Sequence, residues 1–140
     1  MRTELDAFGN PRAARIDLAL LLLRLILAAV FGGYGVAKWA GEMNRVAGLM
    51  MSVGIPLPDL AVRVVAVVEV GSAILLLLGL WTRVAGLLLA IEMAVAIWKV
   101  VWRQGFIGGY ALELTLLTVA LSLAIAGGGA WSVGRDRLSR

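Results

Sequence analysis

Two residue types are missing from this 140-residue chain, cysteine and histidine. Without cysteine there are no disulfides, no thiol redox chemistry and no thiolate-bound metal centre. Without histidine there is no His-ligated haem, and the commonest general base near neutral pH is gone. No metal site and no intrinsic cofactor are therefore expected. Any redox role must use a diffusible cofactor such as a quinone, or a partner protein. Proline occurs three times, at Pro11, Pro56 and Pro58, all at breaks between apolar runs.

Hydrophobic residues make up 61% of the chain, against about 45–50% in ordinary soluble domains. A soluble bundle of this size could not hide so much apolar surface, so lipid must cover part of it. There is room for one domain. The formal charge of +4 does not indicate nucleic-acid binding, because the bases lie mainly at the edges of apolar runs. There they anchor helices to headgroups and set topology.

Taken in order, the chain reads as a polar arm (1–16), a membrane domain (17–132) and a basic tail (133–140). A cleaved leader fits the arm less well, because the polar lead is long and the following apolar run is full length. The spans fall at about 17–39, 60–80, 84–102 and 110–126, with Asp17 and Asp59 as expected caps of the first two. Residues 43–53 are apolar but too short to cross a bilayer, which takes about 20 residues. They are read as an interfacial or partly re-entrant helix. Trp81, Thr82 and Arg83 form a tight turn with a cap, and Gly127 to Gly129 end the last span. The expected fold is all-α: an antiparallel four-transmembrane-helix bundle with one short interfacial helix between spans 1 and 2.

Four spans put both termini on one side, with Arg2, Arg12, Arg15, Arg83, Arg135, Arg137 and Arg140. The other side carries Lys38, Arg45, Arg63, Lys99 and Arg103. This bias favours cytoplasmic termini in an inner membrane.

Charges inside the spans are the candidate functional residues. One charge at the bilayer centre costs about 2.5–3.5 kcal/mol on insertion scales, so such residues are rare and usually have a role. Glu69 and Glu92 fall near the midplane of spans 2 and 3. Arg24 lies about 6 Å to the inner side of span 1, and Lys99 and Glu113 about 8 Å to the outer side of spans 3 and 4. Their matched depth predicts a Lys99–Glu113 contact, while Glu92 and Lys99, seven residues apart, can share a seam. Arg24, Phe31 and Lys38 repeat at that same interval. Arg24 is expected to pair with Glu69. Three acids against two bases then leave one negative charge over, so one glutamate, chosen as Glu92, should hold a proton or face water. Lys38 and Arg83, with Arg45, are read as interfacial residues that snorkel to the headgroups. Buried ion pairs can also serve only to fix helix register.

Small residues form stripes at Gly86, Ala90 and Ala94 and at Ala28 and Gly32, which allow close helix packing in lipid. Four of the five tryptophans stand at span ends, as an aromatic belt requires.

Several of these residues together carry a resemblance. Arg24 followed by Phe31-Gly-Gly-Tyr-Gly-Val-Ala-Lys38 resembles the first-helix signature of the DoxX family. So do Gly54-Ile-Pro56 before the helix bearing Glu69, then Leu78-Gly-Leu-Trp-Thr-Arg83, Glu113 and Gly127-Gly-Gly-Ala-Trp-Ser132. The likeness covers about residues 17–132. Two positions depart from the pattern: Trp98-Lys99 stands where a histidine often occurs, and Val133-Gly134 where an acid usually follows Ser132. The resemblance implies a four-helix inner-membrane protein. It also implies kinship with a group that includes a small subunit of a thiosulfate:quinone oxidoreductase and a mycobacterial component associated with superoxide dismutase.

The functional expectation is an accessory subunit of a membrane redox assembly that anchors a protein partner and contributes to a quinone site. The alternatives are a non-catalytic assembly adaptor, or a small lipid-binding or transport protein acting as a homo-oligomer. A standalone enzyme is not expected, because no nucleophile–base pair or metal-ligand cluster is visible.

Overall fold

The computed structural model describes residues 10–134, and every regular element among them is helical. The first helix, α1 (Pro11–Ala37), begins six residues before the expected cap at Asp17. Pro11 suits a first helical position, and Asn10 Oδ1 accepts from the Arg12 N–H at 3.0 Å. Residues 11–16 of the expected polar arm are thus helical, whereas residues 1–9 lie outside the described residues. The helix continues through a wide π turn (Lys38–Glu42), bends at Gly41 with φ 140°, and runs on as α2 (Met43–Ser52). Ten residues cannot cross a bilayer, and α2 packs against α3 with Ala47 buried.

The next helix, α3 (Pro58–Leu78), starts after Leu57, which takes a left-handed conformation. Asp59 does not cap it but sits in its first turn, where a negative charge favours the helix N-terminus. The helix ends at Gly79 with φ 69°, and the N–H groups of Gly79 and Leu80 return to Leu76 and Leu75. That left-handed closure suits glycine. After Trp81 comes α4 (Thr82–Ala96), extended by a π turn (Ile97–Val101) and a 3₁₀ turn (Trp102–Gln104). Thr82 provides no cap: its buried hydroxyl has no hydrogen-bond partner among the described residues. An irregular wound stretch (Phe106–Tyr110) leads into α5 (Ala111–Ala126).

Helices α1, α3, α4 and α5 are long and apolar enough, with their extensions, to cross a membrane. Each packs on two others, in a ring running α1, α3, α4, α5 and back to α1. The core inside the ring is built from Leu27, Phe31, Leu76, Leu89, Met93 and Leu123 with several alanines. Close approach is set by glycine at two places. A Cβ on Gly35 would lie 2.6 Å from Val70 Cγ2, and one on Gly86 would lie 2.7 Å from the Ala120 carbonyl oxygen. The stripe on α4 is therefore a packing surface against α5, as far as Ala90; Ala94 lies exposed beyond it. Outward-facing side chains such as Leu22, Ile26, Val67, Ile74, Leu87 and Ile91 are more than half exposed. Only lipid covers that much aliphatic surface without penalty.

Candidate functional site

The three residues spaced seven apart on α1 all turn into the bundle: Arg24, Phe31 and Lys38 are 1%, 0% and 9% exposed. A seven-residue interval advances a helix by nearly two turns, so the three form one inward stripe. Lys38 is therefore not an interfacial snorkelling residue. Its Nζ donates to both oxygens of Glu69, at 2.6 and 2.8 Å, and this pair is buried. Gly35 brings α1 close enough for the contact, because its missing side chain lets Glu69 and Val70 of α3 approach. The Tyr34 carbonyl accepts weakly from the same ammonium at 3.5 Å, and the Tyr34 ring lies 5.7 Å from it.

Glu92 on α4 completes this cluster. It lies close enough to Glu69 and Lys38 to interact electrostatically with both. No donor among the described residues reaches its buried Oε2. One ammonium, bonded to Glu69, thus serves two carboxyl groups from two different helices. The cluster is electrically balanced only when the two carboxyls share a proton. Sequence spacing put Glu69 and Glu92 at one depth on spans 2 and 3 but assigned the cation of Glu69 to Arg24.

Arg24 does something else. Its guanidinium donates from Nε to Leu76 O (2.9 Å), from Nη1 to Gly128 O (3.0 Å) and Trp131 O (3.1 Å), and from Nη2 to Leu77 O (3.3 Å). Leu76 and Leu77 belong to the last turn of α3, whose carbonyls have no partner within the helix. The expected Arg24–Glu69 pair is absent because these four carbonyls occupy the guanidinium's planar fork of donors. Arg24 therefore clasps the end of α3 to the segment after α5. The clasp is reinforced by Ala130 N–H donating to Asp17 Oδ1 at 2.9 Å, and by Val133 and Gly134 N–H donating to Leu78 and Gly79 carbonyls. Gly79 has to be bare here as well, since a Cβ on it would sit 2.5 Å from Arg24 Nη2.

Lys99 and Glu113 do not meet. Among the described residues the ion pairs are Lys38–Glu69 and the exposed Arg45–Glu42. Lys99 is exposed, with its ammonium 4.2 Å from the Trp98 ring centroid. The π turn explains this: α4 widens at Ile97, which resets the phase of every residue beyond it. Glu92 and Lys99 consequently leave their common seam. Glu113 sits in the first turn of α5 with Oε2 buried and no donor in reach among the described residues. Arg83, in the first turn of α4, is half-buried and stands apart from the Lys38 cluster in sequence and element.

Among the described residues no group of three or more metal-binding side chains comes together. The buried Glu92 Oε2 is left without a hydrogen-bond partner among the described residues.

Residues 19–102 match the family DoxX. The Bacillus subtilis (strain 168) protein named "Putative oxidoreductase CatD" is 32% identical over 111 residues, covering 79% of this chain and 81% of that one. The Mycobacterium tuberculosis "Uncharacterized membrane protein Rv3486" is 33% identical over 135 residues, covering 87% of this chain and 82% of that one. A Haemophilus influenzae protein is 38% identical over 77 residues, which is 55% of this chain and 54% of that one. No solved structure matches. With the first-helix stripe, Glu69 and the four spans all inside the matched region or its immediate continuation, the chain belongs to the DoxX family.

Proposed function

We propose that this protein is an accessory subunit of a membrane redox assembly, in which the Lys38–Glu69–Glu92 cluster serves a quinone. The observation that carries the proposal is the unsatisfied Glu92 oxygen beside a balanced Lys38–Glu69 pair. Buried ionisable groups of this kind in membrane helices mark ligand or proton sites. The name of the Bacillus subtilis relative supports a redox setting. A bound quinone would supply the electron-accepting chemistry, taking up electrons together with protons. Glu92 would hold the headgroup through Oε2 and provide a proton position. Lys38 and Glu69 would orient Glu92 and compensate its charge. With no thiol or imidazole in the chain to carry electrons, their source is a partner oxidoreductase.

The same reading places the protein in the cytoplasmic membrane with both termini cytoplasmic. Lys38 is drawn into the bundle, so the far side keeps only Arg45, Arg63, Lys99 and Arg103 as headgroup cations. That sharpens the positive-inside bias.

Gentle-detergent purification from the native host, with mass spectrometry of proteins and lipids, tests this function. Co-purification of an oxidoreductase or a quinone is the expected result. A protein that elutes alone, or with a non-redox client only, would overturn it in favour of an assembly adaptor.

A further inference from the structure

Between the end of α2, the outer part of α4 and α5 lies an open cleft of about 880 Å³. It is separate from the Lys38 cluster, and its residues are sorted by depth. Toward the membrane interior its walls are Ala94 of α4, Ile97 of the following π turn and Leu117 of α5, with Leu114 nearer the level of Lys99. Toward the end of α4 they become Lys99 and Arg103, and Ser52 of α2 closes one edge. From Ala94 to Arg103 the helix rises by about 13 Å. The cleft therefore has an apolar floor and a cationic rim, on the scale of a headgroup with the first part of an acyl chain.

Both rim cations lack a carboxylate partner among the described residues, and no acid lines the cleft. Lys99 is held at the rim by the Trp98 ring, 4.2 Å away, instead of extending freely. Trp98 and Trp102 are 71% and 62% exposed, as side chains seated at headgroup level are. An isolated lysine at a helix end needs no ligand. Here two cations line one cleft, and Ser52 at the end of α2 closes an edge that a free helix end would leave open.

We infer that this cleft binds an anionic phospholipid, its phosphate between Lys99 and Arg103 and its acyl chain against Ile97, Leu114 and Leu117. A soluble anion would use the rim and leave the apolar floor empty, whereas a phospholipid would fill both.

The full-length protein would be tested in detergent by native mass spectrometry with added phosphatidylglycerol or phosphatidylcholine. Wild type should retain phosphatidylglycerol several-fold more than phosphatidylcholine. The variant K99Q/R103Q should lose that preference, and K99R/R103K should keep it. Both double variants change exposed residues, so equal thermal stability is expected and is checked alongside. Equal retention of the two lipids by wild type, or an unchanged preference in K99Q/R103Q, would overturn the inference. So would loss of the preference in K99R/R103K. Inorganic phosphate added in excess should leave the bound lipid in place; full displacement would show a site for a soluble anion instead.

Discussion

Replacing Lys38 by methionine removes one half of the buried pair while keeping an unbranched side chain of similar length. The ammonium and carboxylate are 2.6 Å apart, with side-chain exposures of 11% and 3%. Glu69 would then face Glu92 with no cation between them. Interhelical hydrogen bonds in membranes average only about 0.6 kcal/mol, because separated helices find other partners. Breaking a buried ion pair by removing one partner is a larger effect, about 3–5 kcal/mol, since it strands a charge. The lower end applies here because the separated helices already hold Glu69 in lipid. About 3 kcal/mol corresponds to a change of somewhat more than a hundredfold in the unfolding equilibrium. Steric-trap unfolding in bicelles would measure it for Lys38→Met, Glu69→Met and the double variant. The double variant should recover most of the loss, since a neutral apolar pair leaves nothing stranded. Strictly additive single effects, or a Lys38→Met protein as stable as wild type, would refute the reasoning.

Four further outcomes are expected. Arg24→Met should destabilise the protein by about 3 kcal/mol, taking the four carbonyl bonds as one cooperative unit and not as a sum. Hydrogen exchange should quicken in residues 127–134, and Arg24→Lys should restore only part, because one ammonium cannot serve carbonyls on two separate segments. Gly86→Ala places a Cβ 2.7 Å from Ala120 O and 2.9 Å from Ala124 N, both backbone atoms. It should cost about 1–3 kcal/mol in thermal unfolding. Gly33→Ala meets nothing within 4 Å and should instead stabilise by about 0.5–1 kcal/mol. Infrared spectra should contain a protonated-carboxyl band that disappears in Glu92→Gln, as charge balance around Lys38 requires.

The fold was legible because lipid imposes few solutions: long apolar runs must be helices, and their number and breaks follow from hydropathy alone. Helix ends were less so. Asp17 resembled a cap, yet its carboxylate bonds Ala130, 113 residues away, a long-range use that local pattern cannot reveal. The charge cluster was half legible. Depth along the spans put Glu69 and Glu92 at the same level, but it also placed Lys38 at the interface. Its heptad interval from Arg24 and Phe31 was the signal that it faces inward, and Gly35 one turn earlier allows the contact. Arg24 was misassigned because charge counting seeks a carboxylate, whereas a guanidinium can equally be satisfied by helix-end carbonyls. Lys99 and Glu113 failed to pair because regular helical phase was assumed through a stretch that winds as a π turn.

The most direct test is quinone-linked turnover in native-host membranes carrying Glu92→Gln at wild-type abundance. The substitution keeps the shape of the side chain and removes its proton chemistry, while the Lys38–Glu69 pair stays in place. Loss of a positioned acid–base group reduces rates by about 10²–10⁴-fold, and a fall of at least about a hundredfold is predicted. Turnover equal to wild type would contradict the account and leave the cluster as a device for fixing helix register.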